Sequence, residues 1–128
     1  MKIKVVLLLS SLSLLAIVHA ISLNLHLYWT HEWIDLPIHF FGGVCVAFGI
    51  SILPFLHIHL PKFFSTALGY LILAVIIGAI WELFEFYGGI SMYDEYFVID
   101  TSIDFCMDVL GSLFGFYLIR KLDELDAQ

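Results

Sequence analysis

The chain has 128 residues, 62% of them hydrophobic and 13% charged, with a mean hydropathy of +1.01 and a formal net charge of −7. Soluble domains carry about 25% charged residues, so this composition excludes an ordinary soluble domain and points to an integral membrane protein with room for a single domain over residues 1–128. Five basic residues against twelve acidic ones leave no basic surface for nucleic acid.

Four apolar runs reach the ~20 residues that span a bilayer. They cover about 3–27, 37–57, 64–87 and 102–119, and the short connections between them predict an all-α, antiparallel four-helix transmembrane bundle. The first run has a second reading. Lys2 and Lys4, an apolar stretch and Val18-His19-Ala20 resemble a cleavable signal peptide. Hydrophobicity continues through Ile21, Leu23, Leu25 and Leu27, however, and Tyr28, Trp29 and Trp33 follow as an interfacial aromatic belt, which favours a retained helix. All five basic residues, Lys2, Lys4, Lys62, Arg120 and Lys121, fall on one side if the bundle has both termini in the cytoplasm, as the positive-inside rule requires. The connections 28–36 and 88–101 are then outside.

The acids are distributed unequally in that frame. Glu32, Asp35, Glu82, Glu85, Asp94, Glu95, Asp100, Asp104 and Asp108 fall on the outer side or in the outer half, and only Asp123, Glu124 and Asp126 lie inside, on what reads as a short solvated tail. A charge at the centre of a membrane helix costs roughly 2.5–3.5 kcal/mol, so the intramembrane acids need partners. At 100° per residue, Asp35 and His39 share a face that Gly42, Gly43, Val46 and Gly49 continue. Glu82 and Glu85 share a face with Gly78 and Gly89, and Asp100, Asp104 and Asp108 share one that Gly111 and Gly115 extend. Small residues let membrane helices approach closely, so the three faces are expected to converge. Simpler roles compete for some of these residues. Asp35 before Pro37, and Asp100, suit helix caps, and Asp104 suits a first turn. Asp108 lies too deep for capping, and Glu82 and Glu85 sit near a helix C-terminus, where the dipole disfavours anions. His57 and His59 read as interfacial, His19 and His26 carry no signal, Trp81, Phe84, Phe86 and Tyr87 read as packing or anchoring residues, and Cys45 and Cys106 read as small buried thiols.

Carboxylates with one imidazole form a hard, oxygen-rich ligand set suited to Mg²⁺, Mn²⁺ or Ca²⁺ more than to Zn²⁺ or iron. His39, Glu82, Glu85, Asp104 and Asp108 are the candidate ligands, and Glu82, Glu85 and Asp108 the candidate catalytic groups, one carboxylate remaining as a general base. The first functional expectation is metal-dependent chemistry on a cell-envelope or lipid-linked substrate. A second is a proton- or cation-coupled transport element working as a homo-oligomer, since four short helices enclose little pathway alone. A third is a non-catalytic assembly subunit whose acids pair with a basic partner helix.

Asp35-x-x-x-His39-Phe40, Trp81-Glu82-x-x-Glu85 and Asp104-x-x-x-Asp108-x-x-Gly111-x-x-x-Gly115 together resemble the VanZ-like family of small bacterial membrane proteins and, equally, the YjdF-type family. The resemblance covers roughly residues 35–118. In the VanZ-like pattern the second acid of the middle helix is usually Gln and the last Asp usually Asn. Glu85 and Asp108 depart from that, which favours the YjdF-type likeness and makes this site more anionic. The resemblance implies the architecture, the site positions, a bacterial inner or plasma membrane and a role at the cell envelope. The VanZ-like family is linked to glycopeptide (teicoplanin) resistance.

Overall fold

Backbone polar groups in hydrocarbon must be satisfied within the segment, so apolar runs of this length fold as helices. The computed structural model describes residues 2–89 and 97–127, and these form helices and short connections with no strand among them. The helices are α1 (Lys2–Asn24), α2 (Leu27–Thr30), α3 (Asp35–Ile52), α4 (Ala67–Gly88) and α5 (Phe97–Asp126). Short 3₁₀ turns lie at Glu32–Ile34, Leu53–Leu56 and Lys62–Ser65. Four of the helices are long and apolar enough to cross a membrane. The chain is therefore an all-α, multi-pass membrane protein.

Local chemistry sets the helix ends. Thr66 accepts a hydrogen bond from the Gly69 N–H at the start of α4, satisfying one of the donors that every helix start leaves over. Gly89 closes α4 at φ 70°, a left-handed conformation suited to glycine. It is a helix stop rather than a member of the acidic face. His26, at φ 55°, ends the first span at Asn24, earlier than expected, and turns the chain into α2. Pro37 sits inside the first turn of α3, where its missing N–H costs nothing.

The last span differs most from the sequence reading. α5 runs from Phe97 to Asp126 and not from 102 to 119, about 45 Å at 1.5 Å per residue. That exceeds a hydrocarbon core of about 30 Å, so the helix continues beyond it. Asp123, Glu124 and Asp126 thus belong to α5 rather than to a tail. Asp123 accepts a hydrogen bond from the buried Lys4 of α1, pinning the start of the first helix to the end of the last. Residues 90–96, with Asp94 and Glu95 of the expected outer connection, lie outside the described residues.

α3 is central and packs against α1, α4 and, most extensively, α5. The α3–α5 seam is built on glycine. A Cβ added at Gly43 would strike the Asp108 carbonyl and the Ser112 amide, and one at Gly111 would strike the Phe40 backbone. A Cβ at Gly115 would collide with that of Ala47. Gly49 is different, because a Cβ there meets nothing within 4 Å. The expected small-residue stripe of α3 therefore divides, Gly43 joining helices and Gly49 facing open space. The apolar core of Leu8, Val44, Cys45, Ala47, Phe48, Tyr70 and Ile119 fills the end where the Lys4–Asp123 pair lies. Cys45 is buried as expected, but Cys106 is exposed, on the outside of α5.

Because the obstacles at Gly111 are backbone atoms that cannot rotate away, Gly111→Ala should destabilise the protein by about 1–3 kcal/mol. Gly49→Ala should be neutral or slightly stabilising. Thermal unfolding of the two variants in detergent checks the pair, and equal melting temperatures would contradict the seam.

Candidate functional site

At the other end of the bundle the interior is polar. His39 is 3% exposed, Glu82 8%, Glu85 2%, Asp104 2% and Asp108 5%. The three helices that carry them meet as the acid-and-glycine faces lead one to expect. Asp108 Oδ2 lies 3.3 Å from His39 Nδ1 in a buried contact. That contact depends on Gly78, since a Cβ at position 78 would occupy the place of Asp108 Oδ2. The other imidazole nitrogen, Nε2, lies 3.6 Å from Glu82 Oε1 and 3.7 Å from Asp35 Oδ1. Those separations exceed a normal hydrogen bond.

Among the described residues, five buried side-chain atoms lack a hydrogen-bond partner: Ser22 Oγ on α1, and His39 Nε2, Glu82 Oε1, Asp104 Oδ1 and Asp35 Oδ1 at this end. Buried polar atoms in folded proteins are nearly always paired, and each exception calls for a physical reason. Here four of the five belong to residues of the cluster. One ligand atom each from His39, Glu82 and Asp104 fall within 4.8 Å of one another, and so do those from Asp35, His39 and Glu85. Both triads contain His39, which makes the imidazole the hub of the cluster.

Other side chains hold the acids from behind. Thr101 Oγ1 donates to Glu82 Oε2 at 3.0 Å, leaving Oε1 to face His39. Trp81 Nε1 donates to Glu85 Oε1 at 2.9 Å. Trp81 also meets His19 of α1 edge-on, with ring centroids 5.2 Å apart. His19 Nδ1 lies 2.5 Å from the buried Tyr28 hydroxyl. Burial and the nearby Asp35 and Glu85 carboxylates push the Tyr28 phenol above its ordinary value. It therefore keeps its proton, and the short contact ties the phenol to the His19 ring.

All five expected ligands, His39, Glu82, Glu85, Asp104 and Asp108, lie at this end and are buried. Among the described residues, the triads spaced for a cation contain the first four of them and Asp35, while Asp108 faces the opposite side of the imidazole. Asp35 was readable as a cap, but Ile34 is the N-cap residue, and Asp35 is the first residue of α3 with its carboxylate beside His39. Asp104 was readable as a first-turn acid, yet α5 begins at Phe97, two turns earlier, and Asp104 is inside the bundle. Asp100 is exposed on the first turn of α5. Tyr28 is buried against His19 rather than part of the interfacial belt, while Trp29 and Trp33 are exposed. Nothing in the residue pattern marks His19, Tyr28 or Thr101 as supports, because their partners come from other helices.

No curated protein and no solved structure matches the chain. A family model does, over residues 3–123, which reaches into all four spanning helices and takes in every residue of the cluster. The chain belongs to the family described as predicted membrane protein (DUF2238).

Proposed function

We infer that the cluster binds a divalent cation and uses it in hydrolysis or group transfer on a cell-envelope or lipid-linked substrate. The observation that carries this reading is that His39, Glu82 and Asp104 bring one ligand atom each within 4.8 Å of one another, as do Asp35, His39 and Glu85, while His39 Nε2, Glu82 Oε1, Asp104 Oδ1 and Asp35 Oδ1 are buried without a partner. Unpaired carboxylates in an apolar bundle are costly, and a dication satisfies several at once. Four carboxylates and one imidazole favour Mg²⁺, Mn²⁺ or Ca²⁺ over softer ions. With its proton on Nδ1, His39 would donate to Asp108, which would fix the ring and leave the Nε2 lone pair for a cation. A cation held there would acidify water, and a carboxylate not needed as a ligand would serve as the base. The likeness of the three motifs to VanZ-like and YjdF-type proteins supports an envelope setting. The positive-inside rule supports a bacterial plasma membrane orientation with both termini cytoplasmic and the cluster opening outward.

A cation that binds only the folded protein stabilises it by about 2.7 kcal/mol at a hundredfold excess over Kd. Mn²⁺ or Mg²⁺ should raise the melting temperature of the detergent-solubilised protein and EDTA should lower it. Glu82→Ala and Asp35→Ala should lose most of that gain. Asp108→Asn should keep much of it, since the amide oxygen still accepts the His39 N–H. Indifference of the wild type to both cation and chelator would end the metal reading.

Orientation has its own measurement. In a background without Cys45 and Cys106, single cysteines placed at 31 or 33 should react with an impermeant maleimide from outside the cell. Cysteines placed in 57–62 should be protected. The reverse pattern would put the cluster on the cytoplasmic side.

A further inference from the structure

Two cavities lie along α3. One is an apolar groove of about 550 Å³ between α1, α3 and α4, a furrow that Gly42 and Gly49 leave open. The other, of about 400 Å³, lies at the end remote from the acids and is chemically different. All four spanning helices wall it, with Lys4 of α1, Ser51 of α3, Tyr70 of α4 and Arg120 of α5. The connection from α3 to α4 adds Leu53, Ile58, His59 and Ser65. About 18 Å of helix separates Ser51 from His39, so this cavity stands apart from the acidic cluster and owes nothing to a cation bound there.

Its lining holds two permanent cations, Lys4 and Arg120, and one carboxylate, Asp123, in a chain whose formal net charge is −7. Lys4 is 5% exposed and donates to Asp123. An ammonium has three N–H donors, and Lys4 has no other protein acceptor among the described residues. A buried charge is costly unless its hydrogen bonds are made. Arg120 is exposed and has neither a hydrogen-bond nor an ion-pair partner among the described residues. Asp123 balances Lys4, so the guanidinium is a surplus positive charge on the cavity.

We propose that this cavity binds a singly charged phosphate ester, with its oxygens on Arg120 and Lys4. Charge selects one anionic group, to match one surplus cation. The donors select phosphate. They come from α1, from α5 and from the Ser65 hydroxyl of the connection, and a tetrahedral group offers oxygens in all those directions, whereas a carboxylate has two in one plane. The guanidinium fork also suits phosphate oxygens. The rest of the lining selects an ester over a bare ion. Ile50, Leu53, Ile58, Phe116 and Ile119 form an apolar wall that inorganic phosphate leaves uncovered, and cavities of this volume hold organic ligands. α3 ends at Ile52 and α4 starts at Ala67, so the cavity lies where the spans leave the hydrocarbon, at the depth of lipid headgroups. Basic pockets between transmembrane helices bind anionic headgroups. A phospholipid headgroup and a soluble phosphate ester have this chemistry in common.

Purified full-length protein, offered equal amounts of phosphatidylglycerol and phosphatidylcholine with matched acyl chains, tests the site by native mass spectrometry. Phosphatidylglycerol should be retained about tenfold more, because choline brings a second cation to a lining already positive. Arg120→Gln should abolish most of that preference without changing the melting temperature of the lipid-free protein. Lys121→Gln removes a neighbouring exposed charge that pairs with Glu124 and does not line the cavity, and it should leave the preference intact. Ile58→Trp fills the cavity from the connection and should also lower retention, which keeps the test decisive if Arg120→Gln does not fold. In a parallel arm, glycerol 3-phosphate is added to the lipid-free protein and the melting temperature is read. A rise that Arg120→Gln abolishes, without selectivity between the two lipids, assigns the site to a soluble ester. Equal retention of the lipids with no response to glycerol 3-phosphate overturns the proposal. So does a loss in Lys121→Gln as large as that in Arg120→Gln, or a preference that survives both Arg120→Gln and Ile58→Trp.

Discussion

The near-contact of the α3 and α5 backbones underlies everything at the polar end. Histidine and aspartate have short side chains, and His39 and Asp108 can meet only if their helices approach more closely than ordinary side chains allow. Gly43 and Gly111 provide that approach reciprocally, each lying where the partner helix leaves no space for a Cβ. α4 stands against α3 less intimately than α5 does, and it contributes glutamates, whose extra methylene spans the larger gap. The length of each acid thus follows the spacing of its helix, Asp on α3 and α5 and Glu on α4.

The bundle is divided along its length. The end with both helix termini is packed with Leu8, Val44, Phe48, Tyr70 and Ile119 and tied by Lys4 to Asp123. The end with the acids contains groups that destabilise a bilayer protein unless something satisfies them. In membranes close van der Waals packing takes over much of the part that water-driven burial plays in soluble proteins. The dry end therefore offsets the polar one, and the site can keep unpartnered atoms facing each other without the helices separating. This division also explains why the glycines of α3 have two fates. Gly43 sits in the seam, and Gly42 and Gly49 line the furrow on the other side.

Much of this was legible in the sequence because charges inside apolar helices are conspicuous and helical periodicity assigns them to a face. The four spans and the convergence of His39, Glu82, Glu85, Asp104 and Asp108 follow from those two facts alone. Asp35 was ambiguous because Asp-Leu-Pro fits a helix start, and only the location of the cap at Ile34 separates an acid that ends a helix from one that enters the site. The Lys4–Asp123 pair joins residues 119 positions apart, a distance across which local pattern carries no information. The partnership of His19 with Tyr28 depends on the left-handed turn at His26, which folds the chain back on itself. The same turn takes Tyr28 out of the aromatic belt to which its neighbours belong. The groove was invisible for a related reason, since a glycine that fits against a neighbour and one that leaves a hollow look identical in a sequence.

Gly78 has a consequence for how this family can change. The Asp108 carboxylate occupies the space where a side chain at position 78 would begin, so the two positions share one volume. A relative with alanine or serine at the position of Gly78 has to move its acid off the histidine or abandon it. Residues 78 and 108 should therefore covary across the family as a size-matched pair, and a relative that breaks the match will have lost the group that orients its imidazole.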